Sequence, residues 1–338
     1  MRQVWIPKIG APEVLEVREA PDPQAGPGEI RIRVRAAGIN FADILARQGL
    51  YPDAPKLPTV VGYEVAGVVD QVGEGARSFR EGDEVGSLSR FGGYSDVVVV
   101  NEAIAYPKPR RLSFEQTAAI PVNYLTAWLM LIHQGNLQPK QKVLIHAVAG
   151  GVGQAALQIC RWRQAEVFGT ASAGKHERLG QLGVQHCIDY HHQDFEAQIK
   201  KLTKGKGVDL VLDAVGGESF KKSFRSLAPL GKLMMFGISS FSTGKTRSLW
   251  SAFKGYLAMP TFKPIPLLNK NLGVFGFNLG HLWRETDLLR ASLGEILKLM
   301  ESGVLDPLVD RSFSFAEAAR AHAYIQEHRN FGKVLLHP

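Results

Sequence analysis

The chain has 338 residues, 45% hydrophobic and 21% charged, with a mean hydropathy of -0.06, a balance that excludes an acidic disordered tail protein and a multi-span membrane protein. Two cysteines, Cys160 and Cys187, exclude a disulfide scaffold and a four-cysteine zinc site. The net charge of +8 sits in the middle of the chain: residues 1–120 carry 14 basic and 16 acidic groups, residues 121–270 carry 19 and 8, and residues 271–338 carry 7 and 8.

The length predicts two domains. Met1 to Leu15 has no basic flank followed by an apolar stretch, so no secretory leader is expected there. The longest apolar region, Ala118 to Ile132, is broken by Pro121 and Asn123 and falls short of the ~20 residues that span a bilayer. A cytoplasmic, reducing location is the expectation. The first third reads as β structure: Val4–Ile6, Leu15–Val17, Ile30–Ala36, Val60–Val72, Gly82–Leu88 and Tyr94–Val100 are short apolar or alternating runs between Pro- and Gly-rich turns. Such spacing predicts a partly open barrel, with a short helix at Ala42–Gln48. The middle third alternates strand and helix: strands at Val143–Ala147, Val167–Thr170, His186–Ile188, Leu210–Asp213 and Lys232–Gly237, and helices at Val152–Arg163, Lys175–Leu182, Phe195–Thr203 and Ser219–Leu227. That alternation predicts a doubly wound parallel sheet, so the fold class is α/β. Residues 239–270 read as irregular, with a helix near Leu249–Leu257. Beyond them come a strand at Asn271–Phe277, helices at Leu288–Ser302 and Ala316–Glu327, and a last strand, Gly332–Leu336, that can return to the first domain.

The sharpest local signal is Leu144 to Cys160, LIHAVAGGVGQAALQIC. A buried strand runs into a glycine turn that opens a helix. In the GxGxxG fingerprint the second glycine admits the pyrophosphate and the third lets helix and strand pack closely. Gly150 and Gly153 fill those places, with Gly151 and Val152 between them, while Val148 stands where the first glycine would be. The helix N-terminus supplies free amides for a phosphate. About 20 residues on, an NAD site presents an acid to the ribose 2′-hydroxyl. Here the second strand ends Thr170-Ala171-Ser172 with no carboxylate, Lys175 follows, and Tyr190 closes the next strand. Ser172, Lys175 and Tyr190 suit a 2′-phosphate, so NADPH is expected over NADH. His146, alone on this strand, reads as a satisfied core histidine.

These segments together with AAGINFADILARQGLYP, Gly62-Tyr63-Glu64, GGYSDVVVV, VNYLTAW, FGTASAGKHE, GFNLGHL and GKVLL carry a resemblance along nearly the whole chain. It resembles the medium-chain dehydrogenase/reductase superfamily in its zinc-free quinone oxidoreductase branch, and within it the vesicle amine transport protein group. The resemblance implies a GroES-like domain at residues 1–122 and 268–338 and a Rossmann domain at 123–267. Zinc-dependent relatives place a cysteine in the early loop and a histidine after the glycine of a G-H-E motif. Here the early loop, Gly38-Ile39-Asn40-Phe41-Ala42-Asp43, has no cysteine and Tyr63 replaces the histidine, so no zinc is expected. The implied activity is NADPH-dependent reduction of a quinone or another conjugated carbonyl, with Asn40 and Tyr51 as hydrogen-bond donors near the nicotinamide and Tyr63 lining the substrate pocket. Thr126, Phe236, Gly237, Phe277 and Lys333 are implied as further cofactor contacts, Lys333 with a plain surface lysine as the competing reading.

Related proteins pair the strand around residues 271–277 across a two-fold axis, which implies a homodimer. Two alternatives stay open. One is a nucleotide-binding protein whose role is a partner or weak membrane-surface interaction, using the apolar and lysine-bearing 239–270 segment. The other is an enoyl-thioester reductase. No nucleic-acid partner is expected, because no reader motif or aromatic-interleaved basic stripe is present.

Overall fold

The computed structural model describes residues 1–242 and 244–338. It divides into two compact units, Met1–Leu125 with Gly244–Arg247 and Leu279–Pro338, and Thr126–Thr243 with Ser248–Asn278. The chain thus returns to the first unit at its C-terminal end. Residues 268–278, set with the first domain on sequence grounds, fall in the second, because the strand Gly273–Gly276 pairs there.

The first unit is organised by one long strand, Glu29–Gly38. Its period-2 pattern buries Ile30, Ile32 and Val34 and turns Arg31 and Arg33 outward. There Arg31 pairs with Asp70 at 2.8 Å and Arg33 with Asp22 at 2.8 Å. The strand pairs antiparallel with Glu64–Val72 and Val97–Asn101, and near its end with Lys333–His337. Three neighbours on one bent strand, with register shifts against Glu64–Val72, curl the sheet into the expected partly open barrel. Glu84–Leu88, Ala105–Pro107 and Val309–Ser314 complete it. The last strand joins this sheet as expected. Val309–Ser314 was not anticipated: it is an edge strand with only Phe313 buried, so it lacks an alternating apolar signal.

The second unit is a six-stranded sheet in which every pairing is parallel. Its order is His186–Asp189, Glu166–Ala171, Lys142–Ile145, Val208–Asp213, Leu227–Met235 and Gly273–Gly276. Leu144, Phe168, Ile188, Val211 and Leu233 form its core with Ile199 from the helix Phe195–Leu202. The chain steps outward from Lys142–Ile145 one way, then from Val208–Asp213 the other. This reversal is the crevice where doubly wound sheets bind ligands. Residues 239–270 hold the expected helix at Leu249–Leu257 and a second, Pro264–Lys270, that was not expected. Sequence reading also missed the helices Phe114–Ala118 and Pro121–Trp128, which together bury most of the apolar stretch around Pro121. Pro121 begins the second of these instead of breaking it, since the first helical position needs no N–H donor.

Candidate functional site

In the second unit, the segments singled out for cofactor binding leave one edge of the sheet. The glycine turn follows Lys142–Ile145 and opens the helix Gly151–Trp162. That helix starts on Gly150 with no side-chain cap and no acid in its first turn, so its first N–H groups suit an anion. A Cβ on Gly150 would meet only the Ala147 carbonyl, at 3.3 Å. At Gly153 a Cβ would sit 2.5 Å from the Ala147 oxygen and 2.7 Å from the Val148 Cα, both backbone. Only glycine permits that approach of helix to strand. A narrow turn with an uncapped helix start fits the pyrophosphate of a dinucleotide.

The neighbouring strand ends are set by register. Ala171 pairs with Asp189, so Ser172 and Tyr190 leave adjacent strands side by side. Lys175 stands at the end of the short turn Ala173–Lys175, its N–H bonded to the Ser172 carbonyl at 3.0 Å. The nearby carboxylate, Asp189, is engaged by His192 Nδ1 at 2.6 Å and by the His191 N–H at 3.1 Å. Hydrogen bonding from His192 holds its pKa below the ordinary value. On the other side of the sheet Met235 pairs with Gly276, so Phe236 and Phe277 leave together, with Gly237 next in the chain. Thr126 is different: the helix Pro121–Trp128 buries it, at 5% exposure. His146 is buried with both ring nitrogens bonded, as expected.

In the first unit, Asn40 begins the helix Phe41–Arg47, and its backbone N–H donates to Asp43 Oδ2 at 2.8 Å. Its carboxamide is used at both ends. Nδ2 donates to Glu64 Oε1 at 3.0 Å, and Oδ1 accepts from Lys333 Nζ at 2.7 Å. That pair of partners fixes the amide orientation. Lys333 is no surface lysine: it is 3% exposed and forms an ion pair with Glu64, itself fully buried. Glu64 Oε2 also accepts the Val122 N–H at 2.8 Å, capping the start of Pro121–Trp128. Tyr63 is buried among aromatic rings, 6.3 Å from Tyr51 and 5.3 Å from Phe91. Burial, then the charge of Asp43, pushes its hydroxyl pKa up.

Asp43 was passed over on sequence. It is fully buried and accepts from the Asn40 and Gly62 N–H groups and from Tyr94 OH at 2.9 Å. It therefore ties the Asn40 loop to the Gly62-Tyr63-Glu64 segment. Burial pushes its carboxyl up to about 7, against the pull of those donors and of Lys333. The signal that could have found it is the capping box, an acid three residues after a helix-starting Asn. The burial and pairing of Glu64 with Lys333 had no comparable local signal.

A curled β unit, a parallel sheet with a glycine turn at its switch point, and a chain that returns to the first unit are the architecture of the two-domain dehydrogenases and reductases. Residues 26–110 match the alcohol dehydrogenase GroES-like domain family, and residues 182–336 match the family described as zinc-binding dehydrogenase. The chain is 43% identical to the human synaptic vesicle membrane protein VAT-1 homolog, over 96% of this chain and 82% of that one. It is 35% identical to a quinone oxidoreductase of Pseudomonas aeruginosa, over 100% of this chain and 99% of that one. The crystal structure of Escherichia coli quinone oxidoreductase complexed with NADPH superposes with a TM-score of 0.88 at 31% identity, with both chains covered at 100%. The chain belongs to the medium-chain dehydrogenase/reductase superfamily of oxidoreductases, close to the VAT-1 homologs and the quinone oxidoreductases. Among the described residues, no group of three His, Cys, Asp or Glu is placed to hold a metal, and no helix is long and apolar enough to cross a membrane.

Proposed function

We propose that the protein is a zinc-independent, NADPH-dependent reductase of quinones and other conjugated carbonyls, acting in the cytoplasm as a homodimer. The observation that carries the coenzyme choice is the Ala171–Asp189 register. It sets Ser172 and Tyr190 side by side near Lys175, and the nearby acid is already engaged by His192. Those three side chains would hold the 2′-phosphate, while the N–H groups of Gly151, Val152 and Gly153 would hold the pyrophosphate. Gly150, Thr126, Phe236, Gly237 and Phe277 are the further proposed contacts.

When bound, NADPH supplies the hydride. The chain supplies hydrogen bonds where negative charge develops on the substrate oxygen, from the remaining N–H of Asn40 and from Tyr51. Tyr63, with its apolar ring neighbours, would shape the substrate pocket. The donor set supports chemistry without zinc: Asn40 and Tyr63 are poor ligands, and the cation already paired with Glu64 is Lys333. Lys333 is thus proposed to serve the site by holding Asn40. The position of the strand Gly273–Gly276 at the edge of its sheet supports the dimer.

Calorimetry with NADPH and NADH, and NADPH oxidation against ortho- and para-quinones and enones, test this reading. Lys175→Glu is expected to raise the NADPH dissociation constant on the order of a hundredfold, as loss of a charge-assisted contact plus repulsion predicts. NADH affinity should stay within about twofold, since NADH lacks the 2′-phosphate. A wild-type protein that binds neither coenzyme, or a variant with unchanged NADPH affinity, overturns it.

A second reading is favoured by one surface. Leu249, Trp250, Phe253, Tyr256 and Leu257 share one face of their helix and are all exposed, as are Ile265 and Leu268 of the next. Ten lysines and arginines and no acid stand between Glu218 and Glu285. An apolar face with that charge suits an anionic bilayer surface. The protein should co-sediment with phosphatidylserine vesicles and lose that binding in Trp250→Ser/Phe253→Ser. Absence of wild-type binding, or equal binding to neutral vesicles in high salt, removes this role.

A further inference from the structure

A row of buried polar side chains lies behind the glycine turn, and the fingerprint residues do not account for it. Asp213 ends the strand Val208–Asp213 and is fully buried. All its partners are donors: the Val215 N–H at 2.8 Å, the Gly216 N–H at 3.4 Å, and the hydroxyls of Ser219 and Ser223, each at 2.7 Å. Ser223 Oγ in turn lies 3.0 Å from His146 Nε2. The other ring nitrogen, Nδ1, is 3.1 Å from Thr170 Oγ1, which accepts the Ala147 N–H at 3.2 Å. Ser223, His146 and Thr170 are all almost wholly buried.

The direction of every proton in this row follows from donor counting. A hydroxyl has one hydrogen to give. Ser223 spends its hydrogen on Asp213, so it must accept from His146, and Nε2 carries the imidazole proton. Burial holds that ring below its ordinary pKa, against the pull of Asp213, whose Oδ2 lies 3.7 Å from Nε2, and so favours the neutral imidazole. Nδ1 is then an acceptor, and Thr170 gives it the hydroxyl hydrogen. The Thr170 oxygen is left to accept from Ala147. The chain therefore runs one way: Ala147 N–H to Thr170, Thr170 to His146, His146 to Ser223, Ser223 to Asp213. Chains aligned in this manner polarise and strengthen each other.

Ala147 is the residue the chain ends on, and it is the pivot of the turn. Its φ is +52°, in the left-handed region that an L side chain seldom occupies. Its carbonyl accepts the Gly150 N–H at 2.8 Å, and the same carbonyl packs against Gly153. Val148 is held by the Thr170 backbone, its N–H to the Thr170 carbonyl at 3.2 Å. Moving Ala147 out of this conformation would carry Gly150 and the start of the helix with it. We propose that Asp213, Ser223, His146 and Thr170 form a one-way hydrogen-bond chain that holds Ala147 in its strained conformation, making the four positioning residues for the coenzyme pyrophosphate. This deepens the coenzyme-binding role proposed above and rests on it.

Three forms of the apo protein test the proposal: wild type, Thr170→Val and Thr170→Ser. Valine keeps the shape of threonine but lacks the hydroxyl, whereas serine keeps the hydroxyl. Calorimetric titration with NADPH is expected to show an affinity about fivefold to tenfold weaker in the valine variant, the loss of one such hydrogen bond, and one within about twofold of wild type in the serine variant. At saturating NADPH the kcat of both should stay within about twofold of wild type, because the turn positions the coenzyme but touches no reacting atom. Two readouts need no coenzyme. Nitrogen-15 spectra of the imidazole should place the proton on Nε2, and amide exchange at Ala147 and Gly150 should quicken in the valine variant alone. Ser223→Ala, which cuts the chain far from the turn, should shift affinity the same way and serves if Thr170→Val does not fold. Equal NADPH affinity in wild type and valine variant, equal losses in valine and serine variants, or an Nδ1-bound proton each overturns the proposal. A wild type that ignores NADPH while its imidazole and amide signals behave as expected removes the coenzyme role and leaves a chain that only shapes the turn.

Discussion

Lys333→Met is expected to be among the most destabilising single changes in the chain. Lys333 and Glu64 are both almost fully buried and paired with each other. Removing the ammonium leaves a carboxylate out of water with only the Asn40 amide and the Val122 N–H. Breaking a buried pair from one side costs about 3–5 kcal/mol, whereas replacing both partners by neutral groups of similar size is far milder. Glu64→Gln/Lys333→Met should therefore recover most of the stability lost in Lys333→Met. Thermal unfolding of wild type, both single variants and the double variant measures this. A single variant that loses less than about 1 kcal/mol, the range of exposed ion pairs, would show that the two groups are solvated. Asn40 accepts from Lys333, so in the single variant its carboxamide keeps only the bond from Nδ2 to Glu64.

Gly153→Ala and Gly180→Ala should have opposite outcomes, although both add one methyl group to a helix. At Gly153 the new carbon would lie 2.5–2.7 Å from backbone atoms of Ala147 and Val148, which have no free rotor to give way. Helix and strand must part, and the turn that carries Gly150 shifts with them. With about two phosphate hydrogen bonds weakened, NADPH affinity should fall on the order of a hundredfold, with about 1–3 kcal/mol of overpacking cost to stability. At Gly180, in the helix His176–Gln181, nothing lies within 4 Å of the added carbon. Alanine there should stabilise the protein by about 0.5–1 kcal/mol, the difference in helix propensity, and leave NADPH binding unchanged. Calorimetry and thermal unfolding on both variants decide the matter. Equal NADPH affinity in Gly153→Ala and wild type would mean that the turn does not hold the coenzyme.

Much of this architecture is legible in the residues themselves because its causes are local. Alternation along Glu29–Gly38 marks a strand with one buried face, and the glycines between a buried strand and an amphipathic helix mark the tight turn that opens that helix. The missing acid after Ala171 is likewise visible in one strand end. Errors fell where the local pattern is weak or misleading. Val309–Ser314 buries little and is paired only because Lys333–His337 lies beside it. Pro121 looks like a breaker until its place at a helix start is known.

The roles of single buried polar groups were decided elsewhere. Lys333 reads equally well as a surface lysine, because its partner Glu64 is 269 residues away in the chain. His146 was legible as a core residue, but its proton could be placed only once Thr170, Ser223 and Asp213 were seen around it. Sequence by itself determined the fold class, the glycine turn between strand and helix and the superfamily, since periodicity, turn chemistry and motif spacing act between near neighbours. Tertiary structure alone decided which charges are buried, which amide orientation Asn40 takes and which way the hydrogen bonds behind the turn run. Those depend on desolvation and on partners that meet only when distant strands lie in register.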